Sequence, residues 1–294
     1  MKESEHTKGV ILLVTSAIVF STAGLFTKGV EASAWDVIFW RGVFAAAFTT
    51  AFVWWRNTLR PNFLDLQKPA IFVALLGAAG TAAFIPAFKL STVANVALIY
   101  AAAPVFAAIL AWVWLGERIR YAVGLGIVLS FTGVLVIVLG SLGQINLYGD
   151  LLALWMTLAI SIMIVVYRRF PSTATSGPAV YSSLLLLPPA LIWGNPAGNS
   201  YQEIAILAAF GLVFAVASVT AMEGAKRVAS GEAALLSLIE TPLAPLFAWF
   251  LLSEVPPLAT FVGGLFIVAG VLGSQWGNKT RPREIADDNS SKRA

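Results

Sequence analysis

The residues best equipped for chemistry in this chain sit where ionised groups are costly. Residues 237–254 read SLIETPLAPLFAWFLLSE, an apolar run that carries Glu240, Pro242 and Pro245. A carboxylate in hydrocarbon costs ~2.5–3.5 kcal/mol on insertion scales, so Glu240 should face a partner or a watery cavity. Three roles are open to it: binding a substrate ammonium, carrying a proton, or holding a structural partner such as a freed backbone amide or Arg41. Arg41 lies inside another apolar run. Its planar guanidinium suits a substrate carboxylate, and snorkelling of its stem to the interface is the competing explanation. The chain has no cysteine, and its one histidine, His6, lies in the polar start. Thiolate chemistry, disulfides and Cys- or His-based metal sites are therefore excluded. No catalytic residue, metal or cofactor is expected.

Helical spacing gathers further candidates around these charges. Positions i, i+3, i+4, i+7 and i+11 share a helix face. In 237–254 that face is Ser237, Glu240, Thr241, Ala244 and Ala248. In YAAAPVFAAILAWVWLGE, residues 100–117, it is Tyr100, Ala103, Pro104, Ala107 and Ala111. Both faces are small or polar. Tyr100, Ser237 and Thr241 suit a cavity wall, whereas the alanines suit close helix contact. Phe20, Trp155 and Phe214 fall near mid-depth in three other runs. Aromatic walls with a few polar groups describe a small-molecule site, and ordinary core packing is the alternative. Pro86, Pro104, Pro242 and Pro245 each remove a backbone donor and bend a helix, either as hinges or to shape a cavity.

The elements that must position these groups are membrane helices. Of 294 residues, 59% are hydrophobic and 12% charged, with a mean hydropathy of +0.83. A soluble domain carries more charge. The net charge of +4 comes from basic residues in short gaps between apolar runs, a topology pattern rather than a nucleic-acid surface. About 20 apolar residues span a bilayer as helix. Such runs predict ten spans: Val10–Val30, Asp36–Trp55, Ala70–Phe88, Ala94–Leu115, Ala122–Leu139, Leu151–Tyr167, Ala179–Trp193, Ile204–Met222, Ala233–Leu252 and Leu258–Trp276. Lys2, Lys8, Arg56, Arg60, Lys68, Arg118, Arg120, Arg168, Arg169, Lys226, Arg227 and the tail's basic residues then fall on one side, and only Lys28 and Lys89 on the other. The positive-inside rule puts both termini in the cytoplasm of a multi-pass inner-membrane protein.

The chain also repeats itself. A shift of 137 residues carries Lys89 onto Lys226, Trp112 onto Trp249, Glu117 onto Glu254, Gly126 onto Gly263 and Gly133 onto Gly270. It also carries the Tyr100 face onto the Ser237 face. Each half then holds five helices, and an odd number turns the second half upside down. The expected fold is all-α: a cytoplasmic tail at 1–9, a five-helix repeat at 10–141, an inverted repeat at 148–276 and a cytoplasmic tail at 277–294. Inverted repeats are a transporter architecture, with the site between the halves.

The half-motifs PVFAAILAWVWLGERIR…GIVLSFTGVLVIV and TPLAPLFAWFLLSEVPP…GGLFIVAGVL resemble the paired EamA modules of the drug/metabolite transporter superfamily, and most nearly its YddG-like amino acid exporters. The second half departs from the pattern, with Pro242 one place later than Pro104 and Ser253 where a glycine precedes the glutamate. The resemblance implies export of aromatic and other neutral amino acids or related small metabolites by alternating access. The expected partners are a small-molecule substrate, the bilayer and, through Glu240, protons, with the chain acting as a monomer. Multidrug or nucleotide-sugar transport is the alternative within the superfamily. An intramembrane enzyme would need acid–base or metal clusters the runs lack, and a purely structural membrane protein would not need a polar stripe at mid-depth.

Overall fold

The computed structural model describes residues 2–64, 67–116, 121–140, 146–225, 227, 236–237 and 239–276, the side chains of 2–3, 222 and 274–276 excepted. Of the residues singled out in the sequence, Glu117, Arg118, Arg120, Lys226 and the tail 277–294 lie outside the described set. Helix α1 is Lys2–Phe20, α2 Ala23–Lys28, α3 Ala34–Trp55, α4 Lys68–Leu90, α5 Val93–Ala101, α6 Ala103–Leu115 and α7 Tyr121–Gly140. They are followed by α8 Asn146–Arg169, α9 Ser176–Leu185, α10 Leu187–Trp193, α11 Tyr201–Ala225, α12 Glu240–Leu252 and α13 Leu258–Trp276. Among the described residues there is no strand. Seven helical stretches there are long and apolar enough to cross a bilayer. Leu125, Val128, Phe131 and Leu135 of α7 are exposed. On a soluble surface such a patch would drive association; here it suits lipid.

Several expected spans are interrupted. The run through Phe20 breaks at Ser21 and Thr22, whose hydroxyls donate to the Ile18 and Val19 carbonyls at 2.6 and 2.7 Å. The fourth run breaks at Ala102, where the Ala102 N–H turns back to the Ile99 carbonyl at 3.2 Å. Pro104 then stands in the first turn of α6, where its missing N–H costs no helical bond. The face from Tyr100 to Ala111 is therefore split between two helices. The seventh run divides at Leu186 into α9 and α10, with proline again in the first turn. Pro242 lies in the first turn of α12, whereas Pro86 and Pro245 are inside α4 and α12.

The 137-residue repeat reappears in local geometry. The Ile239 N–H bonds the Leu236 carbonyl at 3.2 Å before α12, at the positions equivalent to Ala102 and Ile99. Helix α6 ends on Gly116 at φ 69°, its amide on the Ala111 carbonyl. Helix α12 ends on Ser253 at φ 55°, its amide on the Ala248 carbonyl. This left-handed cap favours glycine. Helices α7 and α13 pack closely along their lengths. A Cβ on Gly133 would stand 2.9 Å from Ile267 N and against the Gly263 carbonyl, and one on Gly270 would stand 2.7 Å from the Gly126 carbonyl. Gly264 meets Leu98, whereas Gly273 has nothing within 4 Å. The pairs Gly126·Gly270 and Gly133·Gly263 run in opposite directions along the two helices, so these pack antiparallel.

Candidate functional site

A cavity of about 230 Å³ lies between α1, α2, α3, α4, α5, α8, α9, α11 and α12. Five of the candidate substrate-binding residues line it: Phe20, Arg41, Tyr100, Phe214 and Glu240. They come from five helices, so tertiary packing alone brings them together.

Arg41 is set by the start of α3. Ser33 and Asp36 form a capping box: the Ser33 hydroxyl oxygen accepts from the Asp36 N–H at 3.2 Å, and the Asp36 carboxylate accepts from the Ser33 N–H at 3.3 Å. The other Asp36 oxygen accepts from the Asn195 N–H at 2.6 Å, which ties the end of α3 to the chain beyond α10. Gly211 then sets what Arg41 meets. A Cβ there would stand 2.9 Å from Ala45 N and 3.0 Å from the Arg41 carbonyl, so glycine lets α11 lie against the α3 backbone. Phe210 and Phe214 are thereby carried to Arg41. The guanidinium stands 4.6 Å from the Phe214 ring centre and 5.6 Å from that of Phe210, within cation–π range. Arg41 is only 2% exposed, so it does not snorkel to an interface. Its Nε has no hydrogen bond, and no ion pair joins Arg41 to Glu240 or to any other described carboxylate.

Glu240 opens α12 and lines the same cavity with Ala244. A carboxylate in a helix's first turn is favoured by the unsatisfied amides there. Tyr100 ends α5 just before the break at Ala102, which carries its phenol to the wall. Phe20 meets Phe214 edge-on, centroids 5.7 Å apart. The remaining candidates lie elsewhere. Trp155 is 50% exposed and absent from the wall, whereas its neighbour Met156 is buried and lines it. Thr241 is buried outside the cavity lining, and Ser237 is exposed.

Sequence reading missed a polar cluster built from groups close in sequence to Gly24, Phe88 and Val96 of the cavity lining. Lys28 of α2 pairs with Glu254, beyond α12, at 2.9 Å. The second Glu254 oxygen accepts from the Val93 N–H at 2.7 Å and so caps α5. The Lys89 ammonium donates to the Val30 carbonyl at 2.6 Å. Beside it Asp150, fully buried, accepts from the Ser91 hydroxyl and from the Asn95 amide at 3.0 and 3.1 Å. The Asn95 carbonyl oxygen accepts from the Thr260 hydroxyl. This network joins α5, α8 and α13. Toward the other end the cavity is lined by Tyr167 and Thr175. A smaller chamber of about 100 Å³ adjoins it there, walled by Thr49, Thr175, Ser176, Ser183, Ser218 and the shared Phe214 ring.

Comparison with known proteins follows this geometry. The EamA-like transporter family model matches twice, at residues 7–139 and 147–275. An uncharacterized transporter of Archaeoglobus fulgidus is 25% identical over 284 residues, covering 90% of this chain and 96% of its own. A probable terminal-alkyne amino-acid exporter of Streptantibioticus cattleyicolor is 30% identical over 237 residues, covering 72% of this chain and 74% of its own. One solved structure superposes with a TM-score of 0.69 over 94% of this chain and 100% of its own, at 19% identity, a likeness of fold alone.

Proposed function

Because the chain belongs to the EamA-like transporter family, we propose that it is a secondary transporter that exports aromatic and other neutral amino acids by alternating access. The observation that carries this reading is one cavity lined by a guanidinium and a carboxyl group, with no ion pair between them. A zwitterion supplies both partners: its carboxylate to Arg41, whose planar fork matches it, and its ammonium to Glu240. A lipophilic cation would use Glu240 and the rings but would stand beside Arg41 as a like charge. A nucleotide sugar would meet Glu240 as one.

The transport cycle we infer uses ten membrane helices in two inverted five-helix repeats. Three features support it: the equivalent breaks at Ala102 and Ile239, the equivalent left-handed caps at Gly116 and Ser253, and the reciprocal antiparallel glycine contacts of α7 and α13. A two-fold lying in the membrane plane relates such halves. Both termini are assigned to the cytoplasm of an inner membrane, with the Lys28 end outside. The two lysines that break the charge asymmetry, Lys28 and Lys89, are both engaged in bonds at that end. The bonded cluster there, and the smaller chamber that extends the cavity toward the opposite end, fit a state open to the cytoplasm. The chain would act as a monomer and without enzymatic chemistry, and export as the direction draws on the likeness to the Streptantibioticus exporter.

The test is flux in proteoliposomes across aromatic, aliphatic, acidic and basic amino acids, with and without a pH gradient. Neutral amino acids are expected to pass, and Glu240→Gln to weaken their transport while the protein stays folded. A folded, reconstituted protein that moves no amino acid would sink the reading.

A further inference from the structure

Helix α8 presents Met156, Ile160, Met163 and Tyr167 to the cavity, the i, i+4, i+7, i+11 stripe of one helix face. It packs on α4, α5 and α6, whereas α3, which carries Arg41, packs on α11, and α12, which carries Glu240, packs on α5 and α2. The charges and the α8 stripe therefore stand on different walls. The α4 wall beside α8 is brought close by small residues: a Cβ on Gly80 would meet Ala159 Cβ at 3.4 Å, and one on Gly77 would meet Met163 Cε at 3.8 Å. Among the described residues lining the cavity, Arg41 and Glu240 alone have basic or acidic side chains.

We propose that the Met156–Ile160–Met163 face of α8, opposed by Phe84 of α4, receives the substrate's side chain and sets which side chains pass. This rests on the amino-acid reading above. With the carboxylate at Arg41 and the ammonium at Glu240, the side chain has the α8 wall to lie against. Unbranched thioethers repack around different shapes, so the wall accepts a range of apolar side chains. It offers no counter-charge, and burying an unpaired charge is costly, so acidic and basic side chains are turned away. The Tyr167 phenol, free of hydrogen bonds among the described residues, marks the end of the stripe where a hydroxylated ring gains a partner.

The experiment compares wild type, Ile160→Trp and Met163→Ala in proteoliposomes with alanine, leucine, phenylalanine, tryptophan, glutamate and lysine. The wild type is expected to pass the four neutral substrates ahead of glutamate and lysine. Filling the wall with Ile160→Trp lowers phenylalanine and tryptophan flux relative to alanine by roughly tenfold or more, the scale on which apolar sites discriminate by size. Met163→Ala shifts preference toward tryptophan. A single monodisperse peak on size exclusion in detergent is the standard for folding, and if Ile160→Trp does not fold, Met163→Ala decides alone. Wild-type flux with the same substrate order in the folded variants overturns this inference and leaves the transporter reading intact. A wild type that moves none of the six overturns both.

Discussion

Replacing Arg41 with methionine separates a binding role from a structural one. The substitution keeps an apolar stem and removes the charge. In the empty cavity the guanidinium is buried, with Nε unbonded. An arginine at mid-helix costs ~2.5–3.5 kcal/mol on insertion scales. The Phe214 and Phe210 rings, at 4.6 and 5.6 Å, return roughly 1–2 kcal/mol each. The opposing contributions nearly cancel, so the empty protein should change in stability by no more than about 1 kcal/mol. Binding is affected differently. A hydrogen bond to a charged group is worth ~1.5–3 kcal/mol, and its loss lowers apparent affinity roughly 10- to 150-fold. Thermal denaturation in detergent, with and without phenylalanine, reads both quantities, because a ligand that binds only the folded state raises its stability. The expected result is an unchanged empty protein whose phenylalanine-induced rise disappears, together with loss of flux. A variant destabilised by more than about 2 kcal/mol that keeps its phenylalanine-induced rise would make Arg41 a support for Phe214 and refute the reasoning.

Other expectations follow from local geometry. Ser253→Gly removes a side chain from a left-handed cap at φ 55° and should raise thermal stability by about 1 kcal/mol; an unchanged or lower melting point counts against that account. Gly211→Ala forces a methyl toward the α3 backbone and should cost about 1–3 kcal/mol with reduced flux, since it displaces Phe214 from Arg41; wild-type stability would show that the close approach is slack. The absence of cysteine gives a clean background for thiol labelling. In an Ala97→Cys protein, Lys28→Ala should speed labelling by an impermeant reagent added on the Lys28 side, and an unchanged rate would mean that the Lys28–Glu254 pair does not hold that end shut.

Much of the site was legible because ionised and aromatic residues inside apolar runs have few places to go. Arg41 and Glu240 stand out by their solvation cost alone, Phe20 and Phe214 by depth, and Tyr100 by its helix face. The misreadings have physical causes. An apolar run reads the same whether or not its helix breaks, so the interruptions at Ser21, Ala102 and Leu186 were invisible, although Pro104 and Pro188 stand beside two of them. One residue on a helix is a rotation of about 100°, which separates exposed Trp155 from buried Met156. Asp150 falls just outside a span that starts at Leu151, yet it is buried against Ser91 and Asn95, and Asn95 in turn accepts from Thr260. Gly211 looked like any glycine in an apolar run, because only the neighbouring backbone of α3 gives it meaning.

The crossing of α7 and α13 limits how such a molecule can move. Gly133, Gly263 and Gly270 meet the facing backbone there with no room even for a methyl group, and Gly270 does so at the Gly126 carbonyl. Sliding one helix along the other would drive the adjoining side chains of Ser130, Ile137 and Ile267 into main chain. Pivoting about one glycine pair does the same to the other, seven residues and about 10 Å away along each helix. The two helices are therefore suited to travel together as one rigid strut, and any rocking around the cavity must take place at looser contacts than theirs.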